Sequence, residues 1–92
     1  MRNLSNVMTA EKARSVAIRT LQGQFDKDDL RHLFEKIEES AEQGRFFLKV
    51  SMVDEMPETS TAKMRRLLME YMRLIGYTIF YFGDDMEVRW QI

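Results

Sequence analysis

The stretch GYTIFYFGDDMEVRWQI, residues 76–92, predicts a β-hairpin and decides how the rest of the chain folds around it. Two alternating runs flank GDD, and a two-residue loop that begins with glycine is typical of tight hairpin turns. If Gly83 and Asp84 form that loop, apolar residues lie opposite one another across the pair. The predicted partners are Tyr81 with Met86, Ile79 with Val88, and Tyr77 with Trp90.

The register of this hairpin determines which aromatic side chains face the core. In the favoured register Phe80 and Phe82 point away from the apolar face, because successive strand residues alternate between faces. A three-residue loop, the less favoured alternative, would match Phe82 with Met86 and Phe80 with Val88 instead. The hairpin holds five of the ten aromatic residues of the chain, so the role of its second face is the main functional question.

A further strand is predicted over FFLKVSMV, residues 46–53. Its residues alternate between two sets, Phe46, Leu48, Val50 and Met52 on one face and Phe47, Lys49, Ser51 and Val53 on the other. This pattern is typical of a half-buried strand. If the first set faces the core, Phe47 lies on the same face of the sheet as Phe80 and Phe82.

Three helices are predicted from helical spacing, capping residues and glycine stops. The first follows Thr9 and ends near Gln22, with a thin apolar stripe of Ala10, Ala13, Ala17 and Leu21. The second follows Asp26 and ends at Gly44, and its inward residues are Leu30, Leu33, Phe34, Ile37 and Ala41. The third follows the Thr59–Thr61 cluster and ends at Gly76, and its inward residues are Met64, Leu67, Leu68, Tyr71, Leu74 and Ile75.

The order helix, helix, strand, helix, strand, strand predicts a single α+β domain over residues 1–92, with residues 1–8 as a flexible N-terminus. A chain of 92 residues has room for one modest core. We expect the second and third helices to cover one face of a small three-stranded sheet, antiparallel or mixed. The third helix would form a right-handed crossover between the first and second strands.

Composition excludes several classes of function. Apolar residues make up 45% and charged residues 32% of the chain, which is typical of a globular protein. No segment has the length and apolarity of a membrane helix or a signal peptide, so we predict a cytoplasmic protein. The absence of cysteine excludes disulfides, thiolate chemistry and cysteine-ligated metals.

The sequence predicts no catalytic, cofactor-binding or metal site. No serine or threonine has a recognisable base partner, and the four glycines lack the spacing of a phosphate-binding loop. The one histidine, His32, is interpreted as a partly exposed helix residue, since a single imidazole makes a poor metal site. We therefore predict that the protein is not an enzyme, while small-ligand binding stays open.

Two functional hypotheses follow from the residue pattern. In the first, Phe47, Phe80 and Phe82 form an exposed patch that binds another protein or a second copy of the chain, giving a homo-oligomer. The alternative for these rings is structural: the first helix folds across them and makes them part of the core.

The second hypothesis is nucleic-acid binding by the third helix, with the hairpin as a wing. Its candidate residues are Lys63, Arg65, Arg66 and Arg73. A strand and a loop separate the second and third helices, whereas a helix-turn-helix needs a short turn there. Asp84 and Asp85 at the hairpin tip would repel phosphates, and the net charge of −1 lacks a basic footprint, so this hypothesis is disfavoured.

The pattern IEESAEQGRFFLKVSM, then LIGYTIFYF and EVRWQI, resembles short, mostly uncharacterised proteins of tailed bacteriophages. In those proteins a helix with alanine and glycine leads to a strand, and L…GY precedes a hairpin closed by an aromatic residue. The matching residues here are Ala41, Gly44, Leu74, Gly76, Tyr77 and Trp90. The resemblance implies an accessory or virion-associated protein, in the host cytoplasm or the virion, and implies no catalytic residue.

Overall fold

The computed structural model describes residues 8–90 as a layer of helices on one face of a three-stranded antiparallel sheet. The elements in chain order are α1 (Ala10–Gln22), α2 (Lys27–Glu42), β1 (Phe47–Ser51), α3 (Met52–Glu55), a 3-10 helix (Pro57–Thr59), α4 (Ala62–Leu74), β2 (Thr78–Phe82) and β3 (Asp85–Arg89). The predicted α+β class and element order are confirmed, and two short helices are added between β1 and α4. The predicted flexible N-terminus, apart from Met8, lies outside the described residues.

The three long helices begin where their capping residues predict. The Thr9 hydroxyl accepts a hydrogen bond from the Lys12 amide at 3.1 Å, and the Thr61 hydroxyl accepts one from the Met64 amide at 3.2 Å. The Asp26 carboxylate accepts from two amides at the start of α2, each at 3.0 Å. Each cap satisfies amides that have no partner within the helix, which fixes the starting residue.

The sheet has the order β1-β3-β2, so the last strand lies between the other two. Ile79 pairs with Val88 and Tyr81 with Met86, which confirms the favoured hairpin register with its two-residue loop. Gly83 supplies a φ of +60° at the first loop position, as that type of turn requires. Both β1 and β2 are antiparallel to β3, which leaves each of them at an edge of the sheet.

The predicted strand over residues 46–53 is too long, because β1 ends at Ser51 and residues 52–55 form α3. The Ser51 side chain caps this helix by accepting from the Asp54 amide at 3.4 Å. A serine followed by acidic residues offers the backbone this local alternative to the strand. Met52, which was predicted to lie in the strand, is fully buried as the first residue of α3.

The core lies between the sheet and helices α2 and α4, with α2 over β1 and α4 over β2. Its fully buried apolar residues are Leu33, Val50, Met52, Met56, Leu68, Met72, Met86 and Val88. Two of them, Met56 and Met72, were not among the predicted inward residues. Methionine side chains adapt to irregular spaces, which suits Met56 at the junction between α3 and the 3-10 helix.

Helix α1 packs against α4 and buries none of its own residues. Ile18 and Leu21 are half-buried against the core cluster, whereas the alanines of the predicted stripe are exposed. The predicted stripe is therefore wrong except at Leu21. Alanine offers too little apolar surface to decide which face of a helix is buried.

An exposed aromatic face as the candidate functional site

The face of the sheet opposite the helices is open, and the three predicted phenylalanines lie on it. Phe47, Phe80 and Phe82 are 49%, 42% and 57% exposed. Helix α1 contacts α4, which lies in the helical layer on the other face of the sheet. The structural alternative, in which the first helix covers these rings, is therefore wrong.

The structure brings two of the three rings together and separates the third. Phe80 and Phe82 are neighbours on the same face of β2, while Phe47 lies on β1 at the opposite edge. Since β3 lies between them, about 10 Å of sheet separates Phe47 from the β2 pair. The candidate site is therefore an aromatic pair and a distant single ring, joined by the central strand.

The central strand presents an ion pair between the rings. Arg89 and Glu87 lie two residues apart on β3, and the guanidinium approaches the carboxylate to 2.6 Å. The same guanidinium stands over the Phe80 ring at 5.1 Å, in a cation–π arrangement. The Arg89 guanidinium is thus held by the Glu87 carboxylate and by the Phe80 ring together.

Phe46 belongs to this surface although the strand pattern places it in the core. It is 56% exposed, and it lines a shallow depression of about 240 Å³ with Phe47, Glu87 and Arg89. Its prediction as a core residue is wrong: Phe46 precedes β1, which begins at Phe47, and its ring lies beside Phe47 at the margin of the open face. Phe46 and the three predicted rings are the exposed phenylalanines of the described residues.

The charges of the open face balance. Lys49 and Arg89 contribute two positive charges, and Asp85 and Glu87 contribute two negative charges on the same side of the strands. The aromatic side chains therefore stand on a surface with no excess of positive charge. A phosphate backbone would gain little from such a surface.

The four basic residues of the nucleic-acid hypothesis do not form one available surface on α4. Arg65 points to the hairpin loop, where it donates to the Gly83 carbonyl at 2.6 Å and lies 3.6 Å from Asp84. Arg73 is paired with Glu70 on the same helix at 2.6 Å. The remaining two, Lys63 and Arg66, are exposed.

Arg65 and Tyr81 together fasten the hairpin to α4. The Tyr81 hydroxyl donates to the Arg65 carbonyl at 2.5 Å, and the Arg65 guanidinium lies 5.6 Å from the centre of the Tyr81 ring. Burial raises the pKa of Tyr81 to about 12, although the nearby arginine opposes this rise. The hydroxyl is therefore neutral and available as a donor, and the pair holds β2 in place. No sequence pattern signalled this contact.

His32 is half-buried, as predicted, and has a partner that the sequence did not reveal. Its Nε2 lies 2.9 Å from the Glu55 carboxylate, and the same carboxylate accepts from the Ser51 amide at 2.9 Å. Burial would raise the pKa of Glu55, but these two hydrogen bonds and the charges of His32 and Lys36 together outweigh it and lower that pKa. The contact joins α2 to α3 and lies away from the open face.

An open groove of about 530 Å³ separates the end of α1 from α2. Phe25, Leu30 and Phe34 form its apolar wall, and Arg19, Lys27 and Arg31 stand around it. The groove lies in the helical layer, so it is separate from the exposed phenylalanines. This groove is one candidate place for the small-ligand binding that the sequence left open.

Within residues 8–90, no helix has the length and apolarity needed to cross a membrane. The same residues contain no group of three or more side chains arranged to hold a metal ion. Comparison with known proteins finds no matching family model, no matching curated protein and no matching solved structure.

Proposed function

We propose that this protein is a non-enzymatic interaction module whose open sheet face binds protein. The observation that carries the proposal is the exposure of Phe46, Phe47, Phe80 and Phe82, each between 42% and 57%, on one side of a small domain. Exposed aromatic side chains gathered on one surface usually mark a contact with a partner.

The chemistry of the face supports a protein partner. Aromatic residues and arginine are enriched at protein interfaces, and here Arg89 is already packed on Phe80 and neutralised by Glu87. A partner that covers Phe80 would bury an apolar ring beside an arginine whose charge is already paired with Glu87, which lowers the desolvation cost. The resemblance to bacteriophage proteins supplies the proposed setting, in which the partner is a phage protein, a host protein or a second copy.

A double substitution, Phe80→Ser with Phe82→Ser, tests the proposal. The rings are half-exposed, so each change should lower the free energy of unfolding by about 1 kcal/mol or less. Association, measured by sedimentation velocity, should be lost while the thermal melt stays cooperative. As a control, Phe25→Ser removes a ring that is only 6% exposed and should cost about 3 kcal/mol or more.

The proposal fails if the double variant associates as strongly as the wild-type chain. It also fails if the double variant melts as poorly as Phe25→Ser, because the rings would then belong to the core.

A separate experiment tests the alternative hypothesis that α4 binds nucleic acid. A gel-shift series with single- and double-stranded probes should show no complex at about 150 mM salt, because two of the four basic residues of α4, Arg65 and Arg73, already contact acidic side chains of the chain. A tight complex that weakens steeply with added salt, and that the double variant Lys63→Glu, Arg66→Glu abolishes, would favour the nucleic-acid hypothesis instead.

A further inference from the structure

The backbone of β2 has hydrogen-bonding groups that point out of the sheet. On the β1 side, the Trp90 amide donates to the Phe46 carbonyl at 3.0 Å and the Met52 amide donates to the Asp84 carbonyl at 2.8 Å. Even-numbered residues of β3 therefore bond to β1, and odd-numbered ones bond to β2. With Phe80 opposite Glu87, the amides and carbonyls of Ile79 and Tyr81 must point outward.

The same rule identifies Phe47, Lys49 and Ser51 as the outward-pointing residues of β1, and two groups at the ends of this edge are bonded within the chain. The Ser40 hydroxyl donates to the Phe47 carbonyl at 2.8 Å, and the Glu55 carboxylate accepts from the Ser51 amide at 2.9 Å. Lysine at the middle position is a common device against edge pairing. Both ends of the β1 edge are thus satisfied within the chain.

Within the described chain, the β2 edge has neither a charged residue nor a side-chain hydrogen bond that would protect it from pairing. Its sequence is TIFYF, without charge, proline or bulge, and β-branched and aromatic residues favour strand pairing. Among residues 8–90, no side chain or backbone group is hydrogen-bonded to the outward groups of Ile79 and Tyr81. The β1 edge is therefore partly satisfied within the chain and protected by a lysine, whereas the β2 edge is ready to accept a strand.

We infer that β2 of a second copy adds to this edge, antiparallel and about a twofold axis, to make a continuous six-stranded sheet. The inference rests on the proposed function, and it names the partner and the mode of contact. In a twofold pair centred on Phe80, Ile79 of each copy exchanges two hydrogen bonds with Tyr81 of the other. All the outward groups of the two residues in both copies are satisfied at once.

The same register concentrates the aromatic surface. Phe80 lies opposite its counterpart in a non-hydrogen-bonded pair, where side chains come closest, and Phe82 lies diagonally from the partner's Phe80. Four rings then form one patch across the junction of the two sheets. A second copy fits this edge because its own β2 is uncharged and offers the complementary groups in the same order.

A charge-swap experiment tests the register and the partner together. Wild-type chain should dimerise within the range from about 1 µM to about 1 mM expected of a contact of this size. Phe80→Lys alone and Phe80→Glu alone should each be monomeric, because like charges would meet at the twofold axis. An equal mixture of the two variants should restore the dimer as a heterodimer.

Val53→Lys is the matched control, since it places the same charge on an exposed apolar side chain of α3, outside the open face. It should dimerise as the wild type does. Phe47→Lys places the charge on the open face but at the β1 edge, so it should weaken the dimer less than Phe80→Lys. Equal loss of dimer in Phe47→Lys and Phe80→Lys, with no recovery on mixing Phe80→Lys with Phe80→Glu, overturns strand addition but leaves the proposed contact face standing. If no charge on either ring affects association, the proposed function fails as well.

Hydrogen exchange of the wild-type chain gives a readout that needs no variant. Outward amides exchange quickly unless another strand pairs with them. The amides of Ile79 and Tyr81 should therefore become protected as protein concentration rises, while those of Thr78, Phe80 and Phe82 are protected throughout. Fast exchange at Ile79 and Tyr81 in a sample that sediments as a dimer overturns the inference, and so does a chain that stays monomeric to about 1 mM.

Discussion

Arg65 shows how much one side chain contributes to the position of the hairpin. Its guanidinium donates to the Ser60 carbonyl at 2.9 Å and to the Gly83 carbonyl at 2.6 Å, so it ties both the start of α4 and the hairpin loop. A flat group with several fixed donors can serve both carbonyls, whereas a lysine cannot.

We predict that Arg65→Lys lowers the free energy of unfolding by about 1–2 kcal/mol, the cost of losing one or two hydrogen bonds to a charged donor. Thermal or urea denaturation measures this loss. Arg66→Lys, on the exposed face of the same helix, is the control and should stay within about 0.5 kcal/mol of the wild type. Equal stability of the two variants would show that Arg65 does not hold the loop.

The lowered pKa of Glu55 gives a prediction for acid. A carboxyl whose folded pKa lies below its unfolded value adds stability that is complete above the unfolded pKa, about 4.3, and is lost as the pH falls through the folded pKa. The side chain is a third exposed, so the loss should stay below about 1 kcal/mol. Glu55→Gln should flatten this part of the pH profile, and an unchanged acid slope in that variant would contradict the assignment.

Residues at helix ends were predictable from the sequence, whereas long-range polar partners were not. Thr9, Asp26 and Thr61 cap the amides of their own next turn, so the signal lies within three residues. His32 and Glu55 are 23 residues apart, and Arg65 and Gly83 are 18 apart. Such contacts depend on how whole elements pack, which a local pattern does not contain.

At the scale of elements, the alternation of β2 and β3 predicted the register because one face is buried and the other open. A slip by one residue would turn Val88 and Met86, both fully buried, to solvent. The end of β1 was not predictable in the same way. Residues 52 and 53 continue the alternation, but the Ser51 cap starts a helix there, and local capping decided the outcome.

Helix α1 should be the least stable of the three long helices. None of its residues is buried, whereas α2 and α4 contribute Leu33, Leu68 and Met72 to the fully buried core. Helices shorter than about 12–15 residues are marginal without tertiary packing, so α1 depends on its contact with α4. We predict that its amides exchange about tenfold or more faster than those of α2 and α4 under native conditions. Uniform protection across the three helices would contradict this order of stability.

At the scale of the whole molecule, the two edges of the sheet differ in how many of their outward backbone groups are hydrogen-bonded within the chain. The cause is the order of the helices around the sheet. The link from β1 turns back at once into α3, which brings Glu55 to the β1 edge, and Ser40 of α2 reaches the same edge. The β2 strand arrives directly from α4, and the hairpin then leads the chain into the centre of the sheet. The order of elements was predictable, but this difference between the edges required the strand order.

The response of the association to salt is a property of the whole chain. The net charge is −1, and the charges on the open face balance, so electrostatic repulsion or attraction between copies is small. We predict that the dissociation constant of the proposed dimer, measured by sedimentation equilibrium, changes by less than about threefold between about 50 mM and about 500 mM sodium chloride. Ammonium sulfate should tighten the dimer, because excluded salts strengthen apolar burial. A dimer that weakens tenfold or more with sodium chloride would place the contact on charged groups such as Arg89 and Glu87 rather than on the phenylalanine rings.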